Sequence, residues 1–525
     1  MSFLNKLLSF YQLSEKDLAE RNSARSFTDL KTPYSLTEFN GVIDRILLAK
    51  TQHEKVVIYG DYDVDGLTSV AILKSALNEL NIDSGFYIPS RYKDGYGLNS
   101  TMVKAFYDKG YSLIIAVDNG VSCFDAISYA KSLNMEVIII DHHEIADDKI
   151  PDTNYIFHQF HSSFLDYNCS AASLSFFVAS KLLNRFDEYF ATLAGIAVFS
   201  DVMPLRGNNL IFAKLMIEFI NKNKYLNLKY ILNKDVIDYD DISFSLIPSL
   251  NAIGRVCKDT LMINNVCRYL IEKDNIERIK KVGDFIISNN AERKQVVKNI
   301  VCNEKYTLES DHAICLRYDN EFSGLAGLIA NKVMTQKNLP TLVFFKNELN
   351  PEQLVGSIRV PDNYSMSDFL IANNKYFIAC GGHKKACGVT IKESDYYLIA
   401  TLFASECAKQ ALDIKETKIE SIDLFPEEIN EYNYHIYEQF MPFGEEFKAP
   451  TFHMILDKKD LVINREKNIA YAFKVNNEFK VIIFNANELI KDNTADKYDL
   501  YGSFSKNTYY SKNKYQFYVN KIIAR

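Results

Sequence analysis

The sequence predicts an α/β protein of about three domains: a parallel-sheet lobe and a smaller second α/β lobe joined by a long helix, then a small C-terminal β-barrel. Three observations predict it. Short, continuous, β-branched apolar runs alternate with helix-length segments over residues 56–157, as in βαβ units whose sheet is covered on both faces. Ile276, Ile279, Val282 and Ile286 recur at helical spacing amid dense charge, which predicts one long amphipathic helix over about residues 275–301. Beyond residue 424, short aromatic-rich runs alternate with polar residues between turn signals. The length of 525 residues and a hydrophobic fraction of 47% suffice for packed cores and exclude a disordered chain.

Taken in order, residues 1–50 are an N-terminal extension. Its start, Met1 to Tyr11, has one lysine and no small-residue cleavage site, so it is a poor signal peptide. Residues 51–270 form the first lobe. Its strands are expected at Val56-Val57-Ile58-Tyr59, Phe86-Tyr87-Ile88, Leu113-Ile114-Ile115-Ala116-Val117, Val137-Ile138-Ile139-Ile140 and Tyr155-Ile156-Phe157, with the first crossover helix over 67–80 and mostly helix from 170 to 233. Residues 271–305 hold the connecting helix, and residues 306–415 a second lobe with strands at Ala313 to Leu316 and Thr341 to Phe345. Residues 424–525 form the barrel, with strands at Tyr471 to Val475 and Tyr515 to Val519. No apolar run reaches the ~18–20 residues of a membrane span. The nine cysteines are odd in number and contain no C-x-x-C, which argues for a reducing compartment and against a disulfide framework or zinc ribbon.

The net charge of -7, from 60 basic and 67 acidic residues, taken alone argues against a nucleic-acid partner. Its distribution argues otherwise. Asp61-Tyr62-Asp63-Val64-Asp65-Gly66 follows the first strand. The alternating carboxylates also open a calcium-binding EF-hand loop, but Ile72 stands where that loop needs a bidentate glutamate, and a strand precedes instead of a helix. Asp118 follows the third strand, Asp141-His142-His143 the fourth, and Asp201 the apolar run Ala197-Val198-Phe199-Ser200. An isolated acidic turn is a solvated surface feature, and Asp118 alone is a helix cap. Carboxylates gathered at successive strand ends, where α/β sites form, repel one another unless cations join them. Oxygen ligands with one or two imidazoles suit Mn²⁺ or Mg²⁺ better than zinc, and two such ions are the usual centre for phosphoester hydrolysis.

These segments, Asp61 to Gly66, Asp118-Asn119-Gly120 and Asp141-His142-His143, resemble the successive motifs of the DHH phosphoesterase superfamily. The resemblance covers nearly the whole chain for one branch, the exonucleases that digest single-stranded DNA from the 5′ end. It implies a DHH lobe, a DHHA1 second lobe and an OB-fold barrel. It implies Asp63, Asp65, Asp118, His142 and Asp201 as ligands of two divalent ions, Mn²⁺ or Mg²⁺, with Asp118 bridging. Asp61 is a further ligand candidate, Asp141 orients the histidines, and His143 assists at the scissile phosphate. Arg91, in Ile88-Pro89-Ser90-Arg91, Asn251 and Arg255, in Asn251-Ala252-Ile253-Gly254-Arg255, Ser357 and Arg359, and Gly381-Gly382-His383 match further motifs of that branch. These positions imply contacts to the terminal 5′ phosphate or the released nucleotide, for which arginine forks and close backbone approach are suited. Three segments depart from the branch. Tyr167 to Ala172 lacks a glycine-rich turn, Phe322 in Glu321-Phe322-Ser323-Gly324 replaces a histidine, and Pro248-Ser249 replaces Pro-Arg.

The last 25 residues give an independent signal. Lys506, Lys512, Lys514, Lys521 and Arg525 are interleaved with Tyr501, Phe504, Tyr509, Tyr510, Tyr515, Phe517 and Tyr518, without any acid. Basic groups track phosphates while aromatic faces stack bases, although half of such aromatics belong to a barrel's own core. The expectation is a cytoplasmic, nucleoid-associated bacterial enzyme, monomeric, acting on single-stranded DNA with a 5′ end, supplied by a single-strand-binding protein and a helicase. The alternatives are a phosphodiesterase of short oligonucleotides or cyclic dinucleotides, and a non-catalytic single-strand binder in replication.

Overall fold

The structure, a computed structural model, describes residues 1–23, 25–145, 149–302, 308–319, 322–413, 419–475, 478–490, 495–507 and 514–525. Two compact units divide the chain. One comprises residues 31–203 and 212–416, the other residues 1–30, 204–211 and 417–525.

In the larger unit, β1 (Val56–Tyr59), β2 (Ser84–Tyr87), β3 (Leu113–Val117), β4 (Glu136–Ile140) and β5 (Tyr155–Phe157) form an all-parallel sheet in the order β2-β1-β3-β4-β5. Both faces are covered, which is why β1 and β3 are apolar at every position and buried throughout. Val57, Tyr59, Ile114, Ala116, Val137 and Ile139 share one core. The helix Val64–Glu79 is buried over most of its length, and the helices Ala171–Leu183 and Glu188–Ser200 are nearly all buried. The chain leaves β1 toward β2 on one side and leaves the neighbouring β3 toward β4 on the other. This makes the crevice beyond the carboxyl ends of β1 and β3 the topological switch point where α/β sheets bind ligands.

The helix Ile276–Cys302 matches the expected connecting helix and buries Ile279, Val282, Ile286, Val297 and Val301 along one stripe. Beyond it, β6 (Leu308–Glu309), β7 (Ile314–Tyr318), β8 (Thr341–Lys346), β9 (Gln353–Arg359), β10 (Phe377–His383) and β11 (Ala386–Lys392) form a mixed sheet in the order β10-β11-β9-β8-β7-β6. Alternate residues of β8 face different cores. Leu342 and Phe344 pack with Phe403 and Cys407, while Val343 and Phe345 pack with Ile329 and Val333.

The smaller unit is a seven-stranded sheet of β12 (Ile422–Asp423), β13 (Phe452–Asp457), β14 (Val462–Asn464), β15 (Ile469–Val475), β16 (Glu478–Phe484), β17 (Lys497–Asn507) and β18 (Lys514–Ala524), ordered β12-β13-β17-β18-β16-β15-β14. The expected N-terminal extension is divided at residue 30. The helix Phe3–Tyr11 places Phe3, Leu7 and Leu8 in this sheet's core beside Phe452 and Phe504, whereas residues from 31 onward belong to the larger unit. Phe504, Tyr515 and Phe517 are core residues, so they cannot stack bases. Tyr501 lies against His453 and Tyr518 against Phe484, both only partly buried. Tyr509, Tyr510 and Lys512 lie outside the described residues. All nine cysteines are free, and no helix among the described residues is long and apolar enough to cross a membrane.

His453 carries a pH-dependent contribution in this unit. Its Nδ1 lies 2.8 Å from Asp423 Oδ1 and its Nε2 2.9 Å from Asp499 Oδ1; Arg525 also pairs with Asp499. Burial pulls the imidazole pKa down, but the two carboxylates outweigh it and the net shift is upward from 6.5. A histidine raised in the folded state contributes stability that is complete below its unfolded pKa and is lost as pH rises through the folded one. The melting temperature is therefore expected to fall more steeply above about pH 6.5 in the parent chain than in His453→Gln. Parallel slopes in a thermal-shift series would remove the assignment.

Candidate metal centre and arginine pocket

The acidic turn begins where β1 ends. The helix starts at Val64, three residues earlier than the sequence predicts, because Asp63 caps it by accepting a hydrogen bond from Gly66 N at 3.1 Å. Asp65 and Gly66 thus lie in the first helical turn, where the helix N-terminus favours negative charge. Asp65 is fully buried and accepts backbone N–H groups from Ala171 and Ala172, both at 2.7 Å. The Tyr167–Ala172 segment therefore does its local work without a glycine-rich turn, by presenting a second helix N-terminus to Asp65.

Asp118 follows β3 in a left-handed conformation, φ 60°, with its N–H bound to Ile140 O. Asp141 accepts N–H bonds from Val121, His142 and His143, and His143 Nδ1 lies 2.7 Å from its Oδ1. Burial pushes Asp141 up, but the His143 bond and the nearby imidazoles outweigh it and hold the carboxyl well below its usual range. Its oxygens are occupied, which suits orientation of the histidine pair. His143 Nε2 meets Tyr96 Oη at 3.1 Å. Asp201 caps the end of the helix Glu188–Ser200, so the apolar run before it is helix and not a strand.

These elements converge. Asp61, Asp63 and Asp118 offer ligand atoms within 4.8 Å of one another, as do Asp65, His142 and Asp201, and as do Asp118, His142 and His143. His142 Nε2 is 3.2 Å from Asp118 Oδ1, 3.2 Å from Asp201 Oδ2 and 3.6 Å from Asp65 Oδ2. Yet His142 Nε2, Asp118 Oδ1 and Asp61 Oδ1 are buried without a hydrogen-bond partner among the described residues. Burial first, and then neighbouring carboxylates, push Asp61, Asp63 and Asp118 above the usual range and Asp65 up to about 7. Orphaned donor atoms among mutually repelling buried carboxylates fit divalent cations. The donor set is oxygen and imidazole nitrogen, as hard cations prefer.

Next to this cluster lies a pocket of about 220 Å³ lined by Arg91, Arg255, Asn251, Tyr62, Asp63 and Asp201 among others. The Arg91 guanidinium lies over the Tyr62 ring, 4.5 Å from its centroid, and its Nε is buried without a partner among the described residues. Burial and then Arg91 push Arg255 down to about 10, so it remains a cation at neutral pH. The Asn251 amide is engaged, accepting from Val64 N at 3.1 Å, so it braces the acidic turn as well as lining the pocket. Ser357 and Arg359 sit on β9, where Arg359 Nη1 donates to Ser357 Oγ at 2.6 Å. On β10, Gly381, Gly382 and His383 are exposed. Gly382 has φ 126°, and His383 lines a second cavity together with His142, His143 and Asp201. Phe322 packs against the core of the second lobe.

Sequence reasoning missed a clamp. Gln159 Nε2 donates to His142 O at 2.8 Å, and His158 Nε2 lies 2.9 Å from His143 O. The available signal was a buried polar pair directly after β5, at the same sheet edge as the other groups.

A cation-binding carboxylate–imidazole cluster at the switch point of a parallel sheet, in a chain that continues into a mixed-sheet lobe and a β-domain, is the arrangement expected of the DHH phosphoesterase superfamily, and the sequence comparisons support that class. Residues 55–198 match the DHH family, N-terminal domain, and residues 422–521 the RecJ OB domain. Within the superfamily the chain is RecJ-like. It is 30% identical over 395 residues to the single-stranded-DNA-specific exonuclease RecJ of Bacillus subtilis, covering 72% of this chain and 49% of that protein. To the Haemophilus influenzae protein of the same name it is 24% identical, covering 85% of this chain and 82% of that one. The chain thus spans about half the length of the first relative and about four fifths of the second. The crystal structure of RecJ in complex with Mn²⁺ from Thermus thermophilus has the same fold, with a TM-score of 0.78 and 19% identity over 94% of this chain and 72% of that one. The expected α/β architecture with a C-terminal OB domain is borne out.

Proposed function

We propose that the chain is a metal-dependent, single-strand-specific 5′-to-3′ exodeoxyribonuclease that releases 5′ mononucleotides. The observation that carries this reading is two cation-ready ligand groups sharing an edge with an arginine pocket, since Asp63 and Asp201 belong to both. Asp61, Asp63 and Asp118 would hold one ion and Asp65, His142 and Asp201 the other, with Asp118, which also groups with His142 and His143, as the candidate bridge. Two such ions, when bound, activate water and neutralise charge building on the phosphate. The chain's own residues supply the rest. Asp141 fixes the His143 ring, and Tyr96 holds its far nitrogen. Arg91 and Arg255 take the terminal phosphate, with Ser357 and Arg359 as its further contacts in the second lobe, while the Gly381-Gly382-His383 turn meets the strand through His383 in the neighbouring cavity. A pocket of about 220 Å³ has room for a chain-end phosphate.

The C-terminal domain guides the strand through Lys506, Lys521 and Arg525, with Tyr501 and Tyr518 as its half-exposed aromatics. One chain supplies every proposed ligand, consistent with action as a monomer. A helicase and a single-strand-binding protein would deliver its substrate during DNA repair or recombination at the nucleoid. End-labelled strands, with and without a 5′ phosphate, test the reading with each metal. Single strands should shorten from the 5′ end with Mn²⁺ or Mg²⁺ and not with chelator, while duplex stays intact. Duplex cut as readily as single strands would overturn it. Activity confined to dinucleotides would identify an oligonucleotide phosphodiesterase instead.

A further inference from the structure

The larger cavity beside the metal centre, about 840 Å³, has no assigned occupant. It meets the ligand cluster at His142, His143 and Asp201, whereas the arginine pocket meets it at Asp63 and Asp201. Its size falls within the range of about 300–1,000 Å³ typical of small-ligand sites, and the arginine pocket falls below it. Ile145, Ile150, Phe160 and Met203 make an apolar wall, and Glu144 and His161 line it too. Phe160 is 48% exposed although the preceding His158 and Gln159 are buried. Its backbone is pinned, because Phe160 N and His161 N both donate to His158 Nδ1 at 3.2 Å. The same His158 ring holds His143 O. The exposed aromatic face is therefore fixed with respect to the catalytic imidazoles.

We propose that this cavity seats the nucleotide on the 3′ side of the scissile bond, with its base stacked on Phe160. The inference rests on the exonuclease reading. With the terminal phosphate among the arginines, the bond to be cut lies over the ligand cluster, and the next nucleotide must leave through space that the arginine pocket does not occupy. An uncharged base gains from the apolar wall and the aromatic face of Phe160. Stacking is tolerant of sequence, as an enzyme that digests any strand requires.

The test uses single strands carrying one abasic residue, at the first or the second position from the 5′ end. In the parent chain, removing the second base should lower kcat/KM about tenfold, in line with the loss of one stacked base. Removing the first base should matter less. In Phe160→Ala the intact strand should be used as poorly as the strand abasic at position two, and Phe160→Trp should restore the contrast. A contrast that is absent in the parent, sits at the first position, or survives in Phe160→Ala overturns the proposal. The same contrast, read as strand affinity in Asp118→Ala, decides it even if no strand is cut, the outcome that would sink the exonuclease reading itself.

Discussion

Replacing Asp118 by alanine is expected to abolish strand cleavage, by on the order of 10³-fold or more, while single-strand binding is retained. The magnitude follows from losing a ligand common to two cation groups, where bound ions supply several kcal/mol of transition-state stabilisation. Asp118 is 2% exposed and its Oδ1 has no hydrogen-bond partner among the described residues, which leaves that oxygen available to a cation. Its left-handed backbone complicates alanine, which costs about 1–2 kcal/mol there, whereas asparagine tolerates that conformation. Asp118→Asn is therefore the cleaner partner and should be equally inactive. Burial, then Asp65 and Asp63, raise the Asp118 pKa, so its charged form is penalised in the folded chain. Without metal at neutral pH, the asparagine variant should melt at the same temperature as the parent or higher. With Mn²⁺ the parent should gain stability and the variant should gain little. Thermal shift with and without Mn²⁺, beside digestion of a labelled strand, reads both. Retained cleavage in Asp118→Asn would remove the bridging role.

The parts of this site legible in the sequence are those tied to local periodicity. Asp61, Asp118 and Asp141 were found because parallel strands are continuous apolar runs, and the next polar residue marks the sheet edge. Asp201 also follows an apolar run, and the resemblance gives it its ligand role. Periodicity misleads there, since the preceding helix is buried on all sides and carries no polar stripe to reveal its 3.6-residue repeat. The same strand-end rule marks His158 and Gln159 after β5, but their clamping role was not legible, because its bonds run to backbone carbonyls, which no side-chain pattern encodes. The bond from Val64 N to Asn251 was hidden for a related reason: it joins residues 187 positions apart. In the C-terminal domain, alternation could not say which aromatics face inward. The structure decides, burying Phe504, Tyr515 and Phe517 and leaving Tyr501 and Tyr518 at the surface of the sheet. Net charge was uninformative because buried acids and the arginine pocket are neighbours, and a total of -7 averages over both.

Gly66→Ala should cost about 100-fold in activity, against the usual rule for helices. Alanine is normally better than glycine in a helix by about 1 kcal/mol. At Gly66 a Cβ would lie 2.4 Å from Asp61 O and 2.5 Å from Asp61 N, and both are backbone atoms that no side-chain rotation can clear. The first helical turn must then move away from the acidic turn. That movement weakens the cap from Gly66 N to Asp63 and pulls Asp65 from the N–H groups of Ala171 and Ala172. A displacement of about 1 Å at a reacting centre is enough for a loss of about 100-fold. Gly41, in the helix Thr37–Thr51, provides the contrast, since a Cβ there meets nothing within 4 Å. Gly41→Ala should leave cleavage unchanged and raise the melting temperature slightly. Mn²⁺ titrations followed by thermal shift should show weakened ion binding in Gly66→Ala alone. If Gly66→Ala binds Mn²⁺ and cuts strands as the parent does, the close approach of Asp61 to the helix is not what holds the carboxylates in register. If it loses both while Gly41→Ala loses neither, space at one glycine, rather than backbone freedom, sets the geometry of the metal centre.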